Sequence, residues 1–72
     1  MIKCGYFVSE FQGQYIAGYK TYNGKRWIYH YIKSVYNGNY IFNLDYTHAK
    51  HMTYKTAVKH MGKMHELEVG VE

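Results

Sequence analysis

Seventy-two residues leave room for a single domain spanning 1–72, and the lone Cys4 excludes an intrachain disulfide. Nine Lys and Arg against five Asp and Glu give a net charge of +4, and the chain carries ten tyrosines and no proline. No apolar run approaches the ~18 residues of a membrane span and no secretory signal pattern opens the chain, so a soluble protein of the reducing cytoplasm is expected.

Turn signals divide the first two thirds of the chain. Asn23-Gly24 and Asn37-Gly38 each lie between runs of β-formers and suit two-residue type I′ turns, while Gln12-Gly13 is a weaker third turn. They predict strands from about Ile2 to Glu10, Gln14 to Tyr22, Arg26 to Val35 and Asn39 to Leu44. Residues 46–52 form a connector, with a short strand expected at residues 49–52. Thr53 then suits a helix N-cap, followed by Tyr54, Ala57, Val58, Met61, Met64 and Leu67 at three- and four-residue intervals. Gly70 marks the stop. The expected fold class is α+β: a four-stranded antiparallel β-meander followed by one C-terminal α-helix packed on one sheet face.

If both Asn-Gly pairs are two-residue loops, Tyr22 pairs with Lys25 and Tyr36 with Asn39. One face then gathers Ile16, Tyr22, Trp27, Tyr29, Tyr31, Val35, Tyr40, Phe42 and Leu44, the heavier set and the natural seat for the helix. The other gathers Tyr15, Ala17, Tyr19, Arg26, Ile28, His30, Ile32, Ile41 and Asn43. That second face is too apolar for a solvated surface, so a symmetric homodimer is expected to cover it through Ile28, Ile32, Ile41 and Tyr19.

Charge is distributed unevenly. Up to residue 65 nine Lys and Arg face only Glu10 and Asp45, a net +7, and Glu66, Glu68 and Glu72 follow in the tail. Lys55, Lys59 and Lys63 recur every four residues and line one face of the predicted helix, with Lys50 and His51 just before it and His48 and His60 in reach. Like charges at that spacing repel, so the row serves stability poorly and a polyanion well. An ordinary solvated helix face is the competing reading. Tyrosines interleave with Lys20, Lys25, Arg26 and Lys33 along the sheet, a pattern suited to stacking single-stranded bases. For most of those rings, core packing is the simpler use. Tyr22, Arg26 and Tyr36 flank the turns and are the stronger candidates.

Other chemistry finds little support. His48 and His51 lack the paired cysteines of a structural zinc site, so neither a metal nor a cofactor is implied. Glu10 and Asp45 suggest no paired-carboxylate geometry, and nothing separates His30, Tyr31 and Lys33 from a packed strand, so no enzyme is expected.

The segment Ala49-Lys50-His51-Met52-Thr53-Tyr54-Lys55-Thr56-Ala57 resembles the strand-to-helix step of small accessory proteins of lytic, T-even-like bacteriophages. These include the TifA-like toxin antagonists, which bind RNA together with a host ribonuclease toxin. The resemblance implies a binding protein of the host cytoplasm that counters host defence; no functional residue is carried over. The expected function is non-catalytic RNA binding, with a host nuclease or toxin as protein target. The alternatives are a pure protein–protein inhibitor of a host enzyme and a structural subunit of a larger assembly.

Overall fold

A computed structural model of the chain describes residues 3–70. Four strands, β1 (Lys3–Phe11), β2 (Gln14–Tyr22), β3 (Trp27–Tyr36) and β4 (Asn39–Asn43), precede a 3₁₀ turn (Tyr46–His48) and one helix, α1 (Tyr54–Glu66). The sheet is an antiparallel meander in the order β1-β2-β3-β4, and α1 packs across β1 and β2. This is the α+β architecture that the turn and helix signals require.

Two of the three turns are tight. Gln12 and Gly13 have φ of 52° and 81°, and Asn37 and Gly38 have 51° and 77°, the paired positive values of a type I′ loop. Asn23-Gly24 behaves differently. The Asn23 side-chain oxygen accepts from the backbone N–H of Lys25 at 2.9 Å and of Arg26 at 3.0 Å. That Asx-type capture opens the loop to Asn23–Arg26, so Tyr22 pairs with Trp27 rather than with Lys25.

β2 and β3 are paired from Gly18 opposite Tyr31 to Tyr22 opposite Trp27. Beyond Gly18 the connector stands where that pairing would continue. Tyr15 and Met52 exchange two backbone hydrogen bonds of 2.8 Å, and the Lys50 N–H donates to the Ile32 carbonyl at 2.8 Å. Ala49 and Met52 are thereby buried, and the chain is delivered to the helix start on one side of the sheet. There Ala17, Ile32, Met52, Ala57 and Met64 form the core, bordered by Val8, Val35, Tyr40, Phe42 and Met61. The two fully buried alanines, one on β2 and one on α1, let helix and sheet approach closely.

The helix therefore covers the face carrying Ala17 and Ile32, not the heavier one expected for it. A one-residue slip in the β3–β4 register at Lys33 completes the exchange. Before the slip Ile32 pairs with Phe42; after it Val35 pairs with Tyr40, and all four side chains join the helix side. The slip leaves Ile41 on the opposite face, so the proposed dimer patch is not a patch. Ile32 has no exposure, Ile41 is 48% exposed across the sheet, and Ile28 is half-buried on the helix side. Tyr19 stacks on His30 at 4.3 Å with planes 3° apart, and Gly70 lies so close that a Cβ there would sit 2.6 Å from its ring.

Both helix ends are capped. The Thr53 hydroxyl accepts from the Thr56 N–H at 3.3 Å, fulfilling the N-cap expectation. The stop comes before Gly70: the Val69 N–H donates to the Met64 carbonyl at 3.0 Å and the Glu68 N–H to the His65 carbonyl at 3.2 Å. This is a Schellman closure with Glu68 at φ 54° in the position that glycine favours. The Tyr6 hydroxyl then holds the Val69 carbonyl at 2.8 Å, docking the segment after the helix onto β1. Glu68→Gly relieves the left-handed strain and is expected to stabilise the fold by about 1 kcal/mol, read as a raised thermal midpoint. An unchanged or lowered midpoint contradicts that account of the helix end.

Candidate nucleic-acid interface

The row of lysines is present and exposed. Lys55, Lys59 and Lys63 stand on α1 away from the buried Ala57 and Met64, and Lys50 is exposed in the connector. Its histidine extensions are not all available. His60 is half-buried, with its Nδ1 3.0 Å from the Tyr40 hydroxyl. Burial, then Lys59 and Lys50, lower its pKa, so it stays neutral and adds no charge. His51 lies at the far end of the sheet with its ring 5.6 Å from Phe11, and His48 Nε2 is 3.8 Å from the Asp45 carboxylate. Glu66 shares with Lys59 and Lys63 the groove between α1 and the β3–β4 hairpin, where it tempers their field.

The more informative surface is the one the helix leaves bare. Pleating turns Phe7, Ser9 and Phe11 of β1, Ile16, Gly18, Lys20 and Tyr22 of β2, and Trp27, Tyr29 and Tyr31 of β3 to that side. Gly18 makes the arrangement possible. A Cβ there would collide with the His30 carbonyl and lie 3.1 Å from Phe7 Cζ, so the Phe7 ring leans inward over a bare backbone. From there it meets Tyr29 and Tyr31 edge-on at 5.5 and 5.6 Å, while those two rings run nearly parallel at 6.5 Å. Phe11 continues the row to Tyr46 at 6.0 Å, and Tyr22 meets Trp27 at 5.3 Å.

Two clefts open among these rings. One, of about 320 Å³, is walled by Phe7, Phe11, Tyr29, Tyr31 and Tyr46, with the buried Ile16 in its lining. The second, of about 270 Å³, lies between Arg26, Trp27, Ile28 and Leu44, and shares Tyr29 and Tyr31 with the first. Trp27 is 38% and Tyr29 42% exposed, enough to offer ring surface to a ligand. Burial, then the neighbouring Tyr29 and Tyr46, raise the Tyr31 pKa, so its phenol stays a neutral hydrogen-bond donor at physiological pH. Lys20 crosses Gly5 and sets its ammonium 4.8 Å from the Trp27 ring centroid. Among the described residues that the strands turn to this side there is no carboxylate; Asp45 stands at the margin, its charge engaged by Thr47.

The candidate residues thus divide between two sides of the sheet. Lys55, Lys59 and Lys63 are on the helix side. Lys20, Tyr22 and Arg26 border the aromatic face, Lys25 is exposed in the loop beside them, and Lys33 is exposed at the register slip. Tyr36, 69% exposed, closes the outer end of β3. Tyr15, Tyr19 and Tyr40 belong to the helix side and are half-buried, Tyr15 and Tyr40 against the core and Tyr19 against His30. Phe7, Phe11, Trp27 and Tyr46 join the aromatic face without having been expected as site residues from the sequence. The signal for the first two was the Gln12-Gly13 turn, which pairs Phe11 with Gln14 and so sets Phe7 and Phe11 beside Ile16.

No protein family, curated protein or solved structure matches this chain. Among the described residues no three His, Cys, Asp or Glu side chains converge to hold a metal ion, and no helix is long and apolar enough to cross a membrane.

His30, like His60, is held below the ordinary histidine pKa by burial. A lowered folded-state pKa means the unfolded chain binds protons first as pH falls. Stability from the two neutral rings is therefore complete above the unfolded histidine value and is lost as pH drops through it toward the folded values. The thermal midpoint is expected to fall on acidification from about pH 7.5 to about pH 5, and His60→Gln to flatten that fall. A midpoint that rises over this range contradicts the assignment of both rings as neutral.

Proposed function

We propose that this chain binds single-stranded nucleic acid, RNA in particular, without catalysis, on the sheet face left open by the helix. The observation that carries this is the carboxylate-free run of exposed rings bordered by Lys20, Lys25 and Arg26. Bases stack on Trp27, Tyr29, Tyr31 and Phe11 in the two clefts, and the flanking cations take the phosphates. The row formed by Lys55, Lys59 and Lys63 supplies a second, sequence-independent phosphate contact on the opposite side. In the setting implied by the phage resemblance, such a protein holds a host nuclease or toxin through RNA and protein contacts together.

A second reading rests on Ile41 and Leu44, 48% and 64% exposed. Aliphatic side chains do not stack on bases, and together with tyrosine and arginine they suit the core of a protein interface. In that case the protein is a direct inhibitor of a host enzyme and needs no nucleic acid.

Titration of a labelled oligouridine at about 50 and about 200 mM salt separates the two. Binding that weakens steeply with salt and quenches the single tryptophan, Trp27, supports the first. No binding even at the lower salt overturns it in favour of the inhibitor. Tyr29→Ala is expected to lose about 1–3 kcal/mol of affinity, roughly 5- to 150-fold. The triple variant Lys55→Glu, Lys59→Glu, Lys63→Glu is expected to reduce the salt dependence while leaving the Trp27 quench in place. Loss of all binding in the triple variant, with Tyr29→Ala unaffected, moves the contact to the helix side.

A further inference from the structure

The two edges of the sheet are unequally protected. β4 is five residues long and lies beside the register slip at Lys33, features that discourage a further strand from pairing. β1 is nine residues long, pairs with β2 without a slip from Lys3 to Phe11, and has no proline. Between Cys4 and Phe11 its only charged residue is Glu10. Among the described residues, no backbone group of β1 is bonded to anything outside the sheet. The core behind it is small: Ile32 and Met64 are the largest fully buried side chains. A domain of this size with so little buried apolar surface gains from a partner, and a regular free edge can supply the pairing.

We infer that β1 pairs antiparallel with β1 of a second copy, joining two four-stranded sheets into one of eight strands. A two-fold axis normal to the sheet keeps both helices on one side and both aromatic faces on the other, which requires paired residues of equal parity. The fully overlapped register centres on Phe7. Cys4 then faces Glu10 of the second copy, Gly5 faces Ser9, and Tyr6 faces Val8, an aromatic and β-branched pair that favours strand association. The small Gly5 and Ser9 leave room on the open face. The partner copy extends the proposed platform, whose aromatic rows become continuous across the seam and offer about twice the length of single strand a footprint. This consequence rests on the nucleic-acid reading; the pairing does not.

Cys4 and Glu10 project to the same side, so the variant Glu10→Cys places two thiols across the seam at the separation an antiparallel pair gives a disulfide. Within one chain the same positions are six residues apart along an extended strand, too far to bridge. Wild-type protein is expected to sediment as a dimer at micromolar concentration. Oxidised Glu10→Cys is expected to run as a covalent dimer with no free thiol, whereas Cys4→Ser combined with Glu10→Cys does not cross-link. A monomer throughout the concentration range overturns the inference. So does a dimer that fails to cross-link, which places the contact on another face, or cross-linking in the double variant, which denies the register. RNA binding by a monomer removes this inference alone, and a cross-linked dimer indifferent to RNA removes the proposed function alone.

Discussion

Two hydrogen bonds between Tyr15 and Met52 decide what this molecule presents to solvent. They and the bond from Lys50 to Ile32 seat the connector beside β2 and β3, so the chain enters the helix on the side of Ala17 and Ile32. Had it left β4 toward the other side, the helix would have met Phe7, Tyr29 and Tyr31, rings too bulky for a close helix landing. Backbone bonding thus assigns Ala17, Ile32, Ala57 and Met64 to the core, with Tyr15, Tyr40 and Phe42 at its border, and leaves Phe7, Trp27, Tyr29 and Tyr31 on the open face. Gly18 is the matching requirement on the other side, since its missing Cβ is what lets Phe7 lie inward among its neighbours.

The energetic consequence is a fold with a thin core and a broad aromatic skin. Ala17, Ala49 and Ala57 are buried but contribute little apolar area each, which leaves Ile16, Ile32, Met52 and Met64 as the large buried side chains. Edge-to-face ring contacts on the open side add modest amounts, about 0.5–1.5 kcal/mol per pair. Rings used in this way serve two ends, because a face that stabilises itself through ring edges still leaves ring surface available. Lys20 fits the same economy: its alkyl chain crosses Gly5 and its charge lies near Trp27, which keeps a cation beside the rings without a carboxylate to neutralise it.

Much of the fold was legible because local chemistry specified it. The positive-φ pairs at Gln12-Gly13 and Asn37-Gly38, the Thr53 cap and the three-to-four spacing of Ala57, Met61 and Met64 each act within a few residues. What escaped the sequence was non-local or hidden by an equally good alternative. Asn23-Gly24 has the composition of a two-residue turn, yet the Asn23 amide oxygen captures two N–H groups instead. Lys33 bears no mark of a register slip, and that slip moves Val35, Tyr40 and Phe42 to the helix side while leaving Ile41 on the other. The lysine row was readable because helical spacing alone creates it. The aromatic platform was only partly readable, since it draws on three strands and on the face that the helix does not take.

A ridge of cations and a platform of rings on opposite sides of one sheet impose different requirements on a ligand. The ridge interacts with charge at a distance and loses its hold as salt screens it. The platform acts only on what reaches ring contact, and for a bound single strand the cost of ordering would be offset base by base. One short single strand cannot lie on both sides of the sheet at once, so under the proposed function the ridge would retain a polyanion while the platform takes its unpaired segment. A duplex satisfies the first demand and not the second, because its bases are already stacked on one another. Under the proposed function, looped or single-stranded RNA would be preferred over paired helices, through the placement of the rings rather than through net charge, to which both forms of nucleic acid respond equally.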